Sequence, residues 1–248
     1  MDNTIKKDFM YSDQLSLFGK RDVIGFGSLS LSLSLQNQFY VKEIPRDLSN
    51  ETIIKNHYSH KICNNSYIHL GVFIGNEMVG VLQFGYAMNP ASQESVVKDT
   101  KRDEYLELNR MWLDDKAPRN SESKAISYAI KYIKRKFENK IKWIQSFADE
   151  RCNRFGVVYQ ACSFNYYGEH LNTFYELDGV VYHKIMMTVT PANRHYTETT
   201  HYLQTHRAEA KEFKLRQFRY IYFIDKRWKA KCCLKEQPYP KHYEEQNR

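Results

Sequence analysis

The stretch His69–Ala87, HLGVFIGNEMVGVLQFGYA, constrains the fold more than any other part of the chain. Two β-rich runs flank Gly75-Asn76, a pair that tolerates positive φ, so the segment predicts a β-hairpin. Asn172–Met187, NTFYELDGVVYHKIMM, repeats the pattern around Asp178-Gly179. Other strand-like runs are FYVKEIP (39–45), EYLELNRMWL (104–113) and IKWIQSFAD (141–149). LSNETIIKNHYSH (48–60) reads as a helix capped by Ser49 or Asn50, with Ile53, Ile54 and Tyr58 on the buried side. A second helix spans Ser121–Phe137, where Ala125, Ile126, Ala129, Ile130 and Ile133 make one apolar stripe. NRFGVVYQACS (153–163) reads as a third. Strands alternating with helices and interrupted by hairpins predict an α/β fold: a mixed sheet with helices on both faces.

The 248 residues, 42% hydrophobic, suffice for one sizeable core. Five cysteines with no C-x-x-C spacing argue against a zinc ribbon or redox motif, and their odd number with the chain's size fits a reducing compartment. No apolar run approaches membrane-span length, and the N-terminus lacks a signal peptide's apolar core, so a soluble intracellular protein without membrane contact is expected. Residues 1–38 read as a peripheral arm. Within them SLSLSLSLQ (28–36) is either an edge strand or a low-complexity segment.

The formal net charge of +8 favours a polyanionic partner, most simply nucleic acid. His206–Lys235 holds ten Lys and Arg against three Asp and Glu, interleaved with aromatics. This part of 191–248 is expected to be a basic C-terminal extension beyond a 39–190 catalytic domain. Arg216, Arg219, Arg227 and Lys229 are its candidate DNA contacts, the alternative being a solvated basic helix.

GxSxG, Walker A, HExxH and GxGxxG motifs are absent, which argues against the commonest hydrolases, NTPases, zinc proteases and dinucleotide enzymes. Asn120, Ser121 and Ser123 open the Ser121 helix, whose free backbone N–H groups suit a phosphate; plain capping is the alternative. Period-two alternation sets Arg110 on one face with Leu106 and Leu108, so it must be ion-paired or line a cavity. Asp149 ends a strand that reads as parallel, where α/β ligand sites gather, or it caps the next turn. Tyr159 either donates a proton or packs. His57 and His60, three apart, could share a helix face and a metal, though two histidines are a weak metal signal.

NHYSHK, LNRMWLDDKAPRNSESKAIS, IQSFADERCNRFGVVYQACSFNYYG and YELDGVVYHK together resemble the bacteriophage Mu Mom family over about residues 40–187. Mom proteins are GNAT-like enzymes that modify adenine in phage DNA, giving a carbamoylmethyl-type adduct on N6 that protects against host restriction. The resemblance implies a GNAT-like, mostly antiparallel mixed sheet. It also implies functional roles for His57, Tyr58, Arg110, Ser123, Asp149 and Tyr159. Acetyl-CoA or a related acyl-CoA becomes the expected donor, with iron as a further candidate, double-stranded DNA the partner, and the cytoplasm of a phage-infected cell the location. The glycine-rich pyrophosphate loop usual in GNAT proteins is replaced by APRNSESKA. Two other readings stay open: an N-acetyltransferase acting on RNA, protein or a small amine, and a non-enzymatic DNA-binding protein. The first predicts an acetylated product. The second predicts that Arg110 and Asp149 are dispensable.

Overall fold

The computed structural model describes residues 38–240, apart from Met88, Asn153, Arg154, Arg194 and His195. The N-terminal arm lies outside the described residues. Eight strands form one sheet in the order β1-β2-β3-β4-β5-β8-β6-β7. They are β1 (Phe39–Glu43), β2 (Ser66–Ile74), β3 (Glu77–Gly85), β4 (Tyr105–Leu113), β5 (Trp143–Asp149), β6 (Asn165–Leu177), β7 (Val180–His183) and β8 (Lys211–Phe223). Only β4 and β5 run parallel. The mixed, mostly antiparallel sheet is therefore the expected one, and both expected hairpins are present, as β2–β3 and β6–β7.

Helices cover both faces. Along the chain they are α1 (Arg46–Asn56), the single turn α2 (Gln93–Val96), α3 (Ser121–Lys136), α4 (Val157–Ala161) and α5 (Glu198–Thr205). The predicted stripe of α3 is wholly buried and packs with Ile68, Leu70, Leu82 and Leu106 on one face of the sheet. α1 lies on the other face, where Ser49 Oγ bonds His69 Nδ1 at 3.0 Å and accepts from Gln83 Nε2 at 2.8 Å.

Four expectations need correction. α1 starts at Arg46 after Pro45, so Ser49 and Asn50 lie within it rather than capping it; proline is pre-set for such an entry turn. Ile53 is buried, but Ile54 and Tyr58 are half exposed, and Tyr58 lies beyond the helix end. The third helix shrinks to α4, because Phe155 and Gly156 take positive φ just before it. A Cβ on Gly156 would run into the Tyr220 ring.

The largest correction concerns the C-terminus. The segment expected as an extension contributes β8, which pairs antiparallel with both β5 and β6. Its alternating side chains serve both faces: Phe218 and Tyr220 join the α3-side core, while Ile221 and Phe223 pack with Trp143 and Tyr105 on the α1 side. Burial of these four side chains holds the strand in the sheet despite its many cations.

Candidate active site

The parallel pairing of β4 with β5 covers only Tyr105–Trp143, Leu106–Ile144 and Glu107–Gln145. Beyond that point both strands continue, so they diverge and leave a gap in the sheet. At its apex sits the buried Glu107 carboxylate, which accepts from Gln145 Nε2 at 2.7 Å and Asn109 Nδ2 at 3.2 Å. Burial pushes its pKa up to about 7. A cavity of about 790 Å³ occupies the gap and reaches both faces of the sheet.

Arg110 reaches this cavity by a route that period-two alternation does not reveal. β3 and β4 pair as Phe84–Leu108 and Gln83–Arg110, so Asn109 is an extra residue in β4. This β-bulge flips the strand. Met111 and Leu113 take over the leucine face, packing on the core with Leu106 and Leu108. Arg110 moves to the α1 side, opposite Gln83. Its Nε donates to Lys61 O at 3.3 Å and its Nη1 to Asn109 O at 2.7 Å. No carboxylate lies within ion-pair distance among the described residues. Three of the five guanidinium N–H donors are left for a ligand.

Asp149 shares this face, since Trp143, Gln145, Phe147 and Asp149 alternate without a break in their pairing to β8. Its partner is Arg151, which sequence reading missed. Arg151 Nε donates to Oδ1 at 2.9 Å, Nη2 to Oδ2 at 2.6 Å, and the backbone N–H to Oδ1 at 3.0 Å. The last bond is the turn-capping contact that was the alternative reading for Asp149. Burial works against the charged form, but the hydrogen bonds and charge of Arg151 prevail and hold the carboxyl below its ordinary value.

His57 and Tyr58 line the cavity from the turn after α1. The metal reading of the histidine pair fails on geometry. α1 ends at Asn56, His60 has φ 47° and bonds Ile54 O, and the two rings share no helix face. Nor do the described residues contain a group of three or more His, Cys, Asp and Glu able to hold a metal, so the iron expectation finds no ligand set. Ser59 N–H donates to His57 Nδ1 at 3.1 Å, which leaves the proton of the neutral ring on Nε2. Burial first, then the charges of Arg110, His60 and Arg151, bring the His57 pKa down to about 4. In the unfolded chain an ordinary histidine titrates near 6.5. The unfolded state therefore binds more protons between these values, and folding stability should fall as pH drops from about 6.5 to about 4. His57→Asn should flatten that fall, by at most about 3 kcal/mol at pH 4; melting temperature against pH measures it.

On the opposite face, α3 points its N-terminus at the gap. Asn120 sits at the cap position with φ 67° and makes no side-chain capping bond. Ser123 Oγ turns back to donate to Asn120 O, and the backbone N–H groups of Glu122 and Ser123 meet no acceptor among the described residues. Capping by Asn120 or Ser121 side chains is thus not realised, and the N–H groups face a cavity that Asn120, Ser121 and Ser123 line. Tyr159 also lines it on this α3 side, packed on Phe164 and Tyr220.

The candidate DNA cations do not assemble into one surface. β8 sets Gln217 beside Asp149 and Phe223 beside Trp143, at opposite ends of β5. Arg216 and Arg219 stand near the cleft end; Arg227 and Lys229 follow the far end, roughly 20 Å away at strand rise. Arg216 is ion-paired with Glu150, Arg227 with Asp225 and Lys229 with Glu236. Arg219 is half-buried over the Phe147 ring.

A mixed sheet that opens between two parallel strands, with a helix N-terminus beside the gap, is a GNAT-like fold. The chain belongs to the Mom protein family, whose model it matches over residues 38–241, β8 included. It is 47% identical over 222 residues to the methylcarbamoylase mom of Escherichia phage Mu, covering 88% of this chain and 87% of that one. Among solved structures, Arabidopsis thaliana NAA60 in complex with acetyl-CoA aligns over 76% of this chain and 99% of its own, at 11% identity and TM-score 0.48. A probable acetyltransferase from Staphylococcus epidermidis aligns over 75% and 99%, at 12% and 0.43. No helix among the described residues is long and apolar enough to cross a membrane.

Proposed function

We propose that this protein modifies adenine in duplex DNA, adding a carbamoylmethyl-type group at N6, and that in a bacterial host it shields phage DNA from restriction. Family membership and the 47% identity to a methylcarbamoylase support the reaction class. The observation that carries the site assignment is Arg110, held on two backbone carbonyls with no carboxylate partner among the described residues and turned to the cavity by the bulge.

The target amine is a weak nucleophile, because its lone pair is delocalised into the ring. It also lies inside the duplex, so the base must be extruded at a cost of roughly a few kcal/mol. The base would enter on the α1 side, among Tyr58, neutral His57 and ionised Asp149. There Asp149 serves as a fixed acceptor that orients the amine, since a carboxylate held below its ordinary pKa is a poor proton-taker. Arg110 donates to the carbonyl or carboxylate oxygen on which charge develops. Tyr159, across the sheet from Asp149, is assigned proton donation to the leaving group; its position on the α3 side supports this over stacking on the base. When bound, an acyl-CoA would supply the carbon unit; direct acyl transfer to N6 would give an amide, so a carbamoylmethyl adduct, joined through its CH2, also requires a nitrogen source and a further bond change. The open N–H groups of Glu122 and Ser123, with Asn120 and Ser121, fit its phosphates. Ser123→Glu sets a negative charge at that point and is expected to weaken CoA binding at least tenfold in direct calorimetry. Unchanged affinity would remove the helix end from the donor site. Arg219, on the base side, and Arg216, on the α3 side of the same strand end, are the proposed phosphate contacts beside the cleft. Arg227 and Lys229 would meet DNA on a separate surface.

Mass spectrometry of nucleosides from DNA of cells expressing the protein tests the proposal. A modified deoxyadenosine is expected; unmodified DNA alongside an acetylated RNA or protein would replace it with an ordinary N-acetyltransferase.

A further inference from the structure

Arg151 does not line the cavity, yet it ties together two side chains of its wall, Asp149 and Tyr58, and Phe174 of β6. Its guanidinium grips Asp149 with two prongs and stands 5.2 Å from the ring centres of both Tyr58 and Phe174. Tyr58 in turn lies against the His57 ring at 4.2 Å. One side chain therefore connects the end of β5, the turn after α1 and the middle of β6.

The fork alone is a product of local spacing. Asp225 and Arg227, also two apart, make the same contacts at 2.9 and 2.7 Å, with the same backbone bond at 3.2 Å. That copy sits on the surface, its arginine 88% exposed. What distinguishes Arg151 is its other neighbours: a 5%-exposed carboxylate and two aromatic rings, one of them in the cavity wall. We propose that Arg151 is a positioning residue for adenine modification, fixing the Asp149 carboxylate and the Tyr58 ring in one arrangement on the base side of the cleft. The inference rests on the function proposed above.

Other titratable or charged groups around Asp149 are His57, His60 and Lys61 from the turn after α1, Arg110 from β4, and Glu150 with its partner Arg216 from β8; Gln217 of β8 also donates to it. None of these makes a two-pronged contact with the carboxylate. Without Arg151, burial dominates and the Asp149 carboxyl titrates at higher pH. Asp149 would then be ionised, and the site competent, only above that raised value.

Carbon-13 NMR titration of aspartate carboxyls tests the coupling, with the Asp149 signal identified by its loss in Asp149→Asn. Arg151→Gln should raise the Asp149 midpoint by about one unit or more, and Arg151→Lys by less. The acid limb of adenine modification, measured as kcat/KM against pH, should move upward with it in both variants. If Arg151→Gln does not fold, Arg151→Lys carries both measurements. An unmoved Asp149 titration overturns the coupling. A shifted titration with an unmoved activity limb overturns the role in the reaction. Wild-type protein that makes no modified adenine overturns the proposed function itself, and is told apart because every variant is then equally silent.

Discussion

Arg110→Ala is expected to lower adenine modification by about 10²–10³-fold, the usual cost of removing one donor from a site of developing charge. The protein should stay folded. The guanidinium is half exposed, and its two hydrogen bonds go to carbonyls at the cavity edge, so its loss leaves no buried carboxylate unpaired. Arg110→Lys keeps the charge but not the planar fork and should recover only part of the rate. Circular dichroism and melting temperature report folding; nucleoside mass spectrometry reports the product. Near wild-type modification by the alanine variant would remove Arg110 from the reacting centre.

Truncation after Ala210 is expected to give no folded protein. An appendage used only to grip DNA would be dispensable for folding, and its removal would weaken binding alone. β8 instead buries Phe218, Tyr220, Ile221 and Phe223 and supplies the pairing partner of both β5 and β6. At roughly 1.5–3 kcal/mol for each buried side chain, its removal costs about 6–12 kcal/mol. That is the size of an ordinary domain's whole stability, about 5–15 kcal/mol. Limited proteolysis and thermal melting of the truncated chain check this. A cooperative melt near the wild-type temperature would make β8 an ornament of the sheet.

The parts of this fold legible in sequence are those set by local chemistry. Gly75-Asn76 and Asp178-Gly179 announce their hairpins, and the Ala and Ile spacing of α3 announces its buried stripe. Asp149 could be placed at the end of a parallel strand because a helix precedes that strand. The bulge at Asn109 could not be seen, since one extra residue leaves no mark on an alternation that both registers satisfy equally well. The face of Arg110 was misjudged for that reason, although lining a cavity was one of the two options the strand allowed. β8 was obscured by its cations, while FRYIYF (218–223), aromatic and β-branched, held the strand signal. Arg151 left only a two-residue spacing from Asp149. The same spacing at Asp225 and Arg227 shows how little it says about burial.

The gap between β4 and β5 opens on both faces of the sheet, with the α3 N-terminus on one and Arg110 and Asp149 on the other. A passage with two mouths differs from a pocket in traffic. Under the proposed function, occupants arriving from opposite sides would not queue for one doorway, and a spent donor would leave on the α3 side while the polymer stayed seated on the α1 side. For a catalyst whose second substrate is a very long molecule, this permits many turnovers in one encounter, with the renewal of the small partner setting the pace.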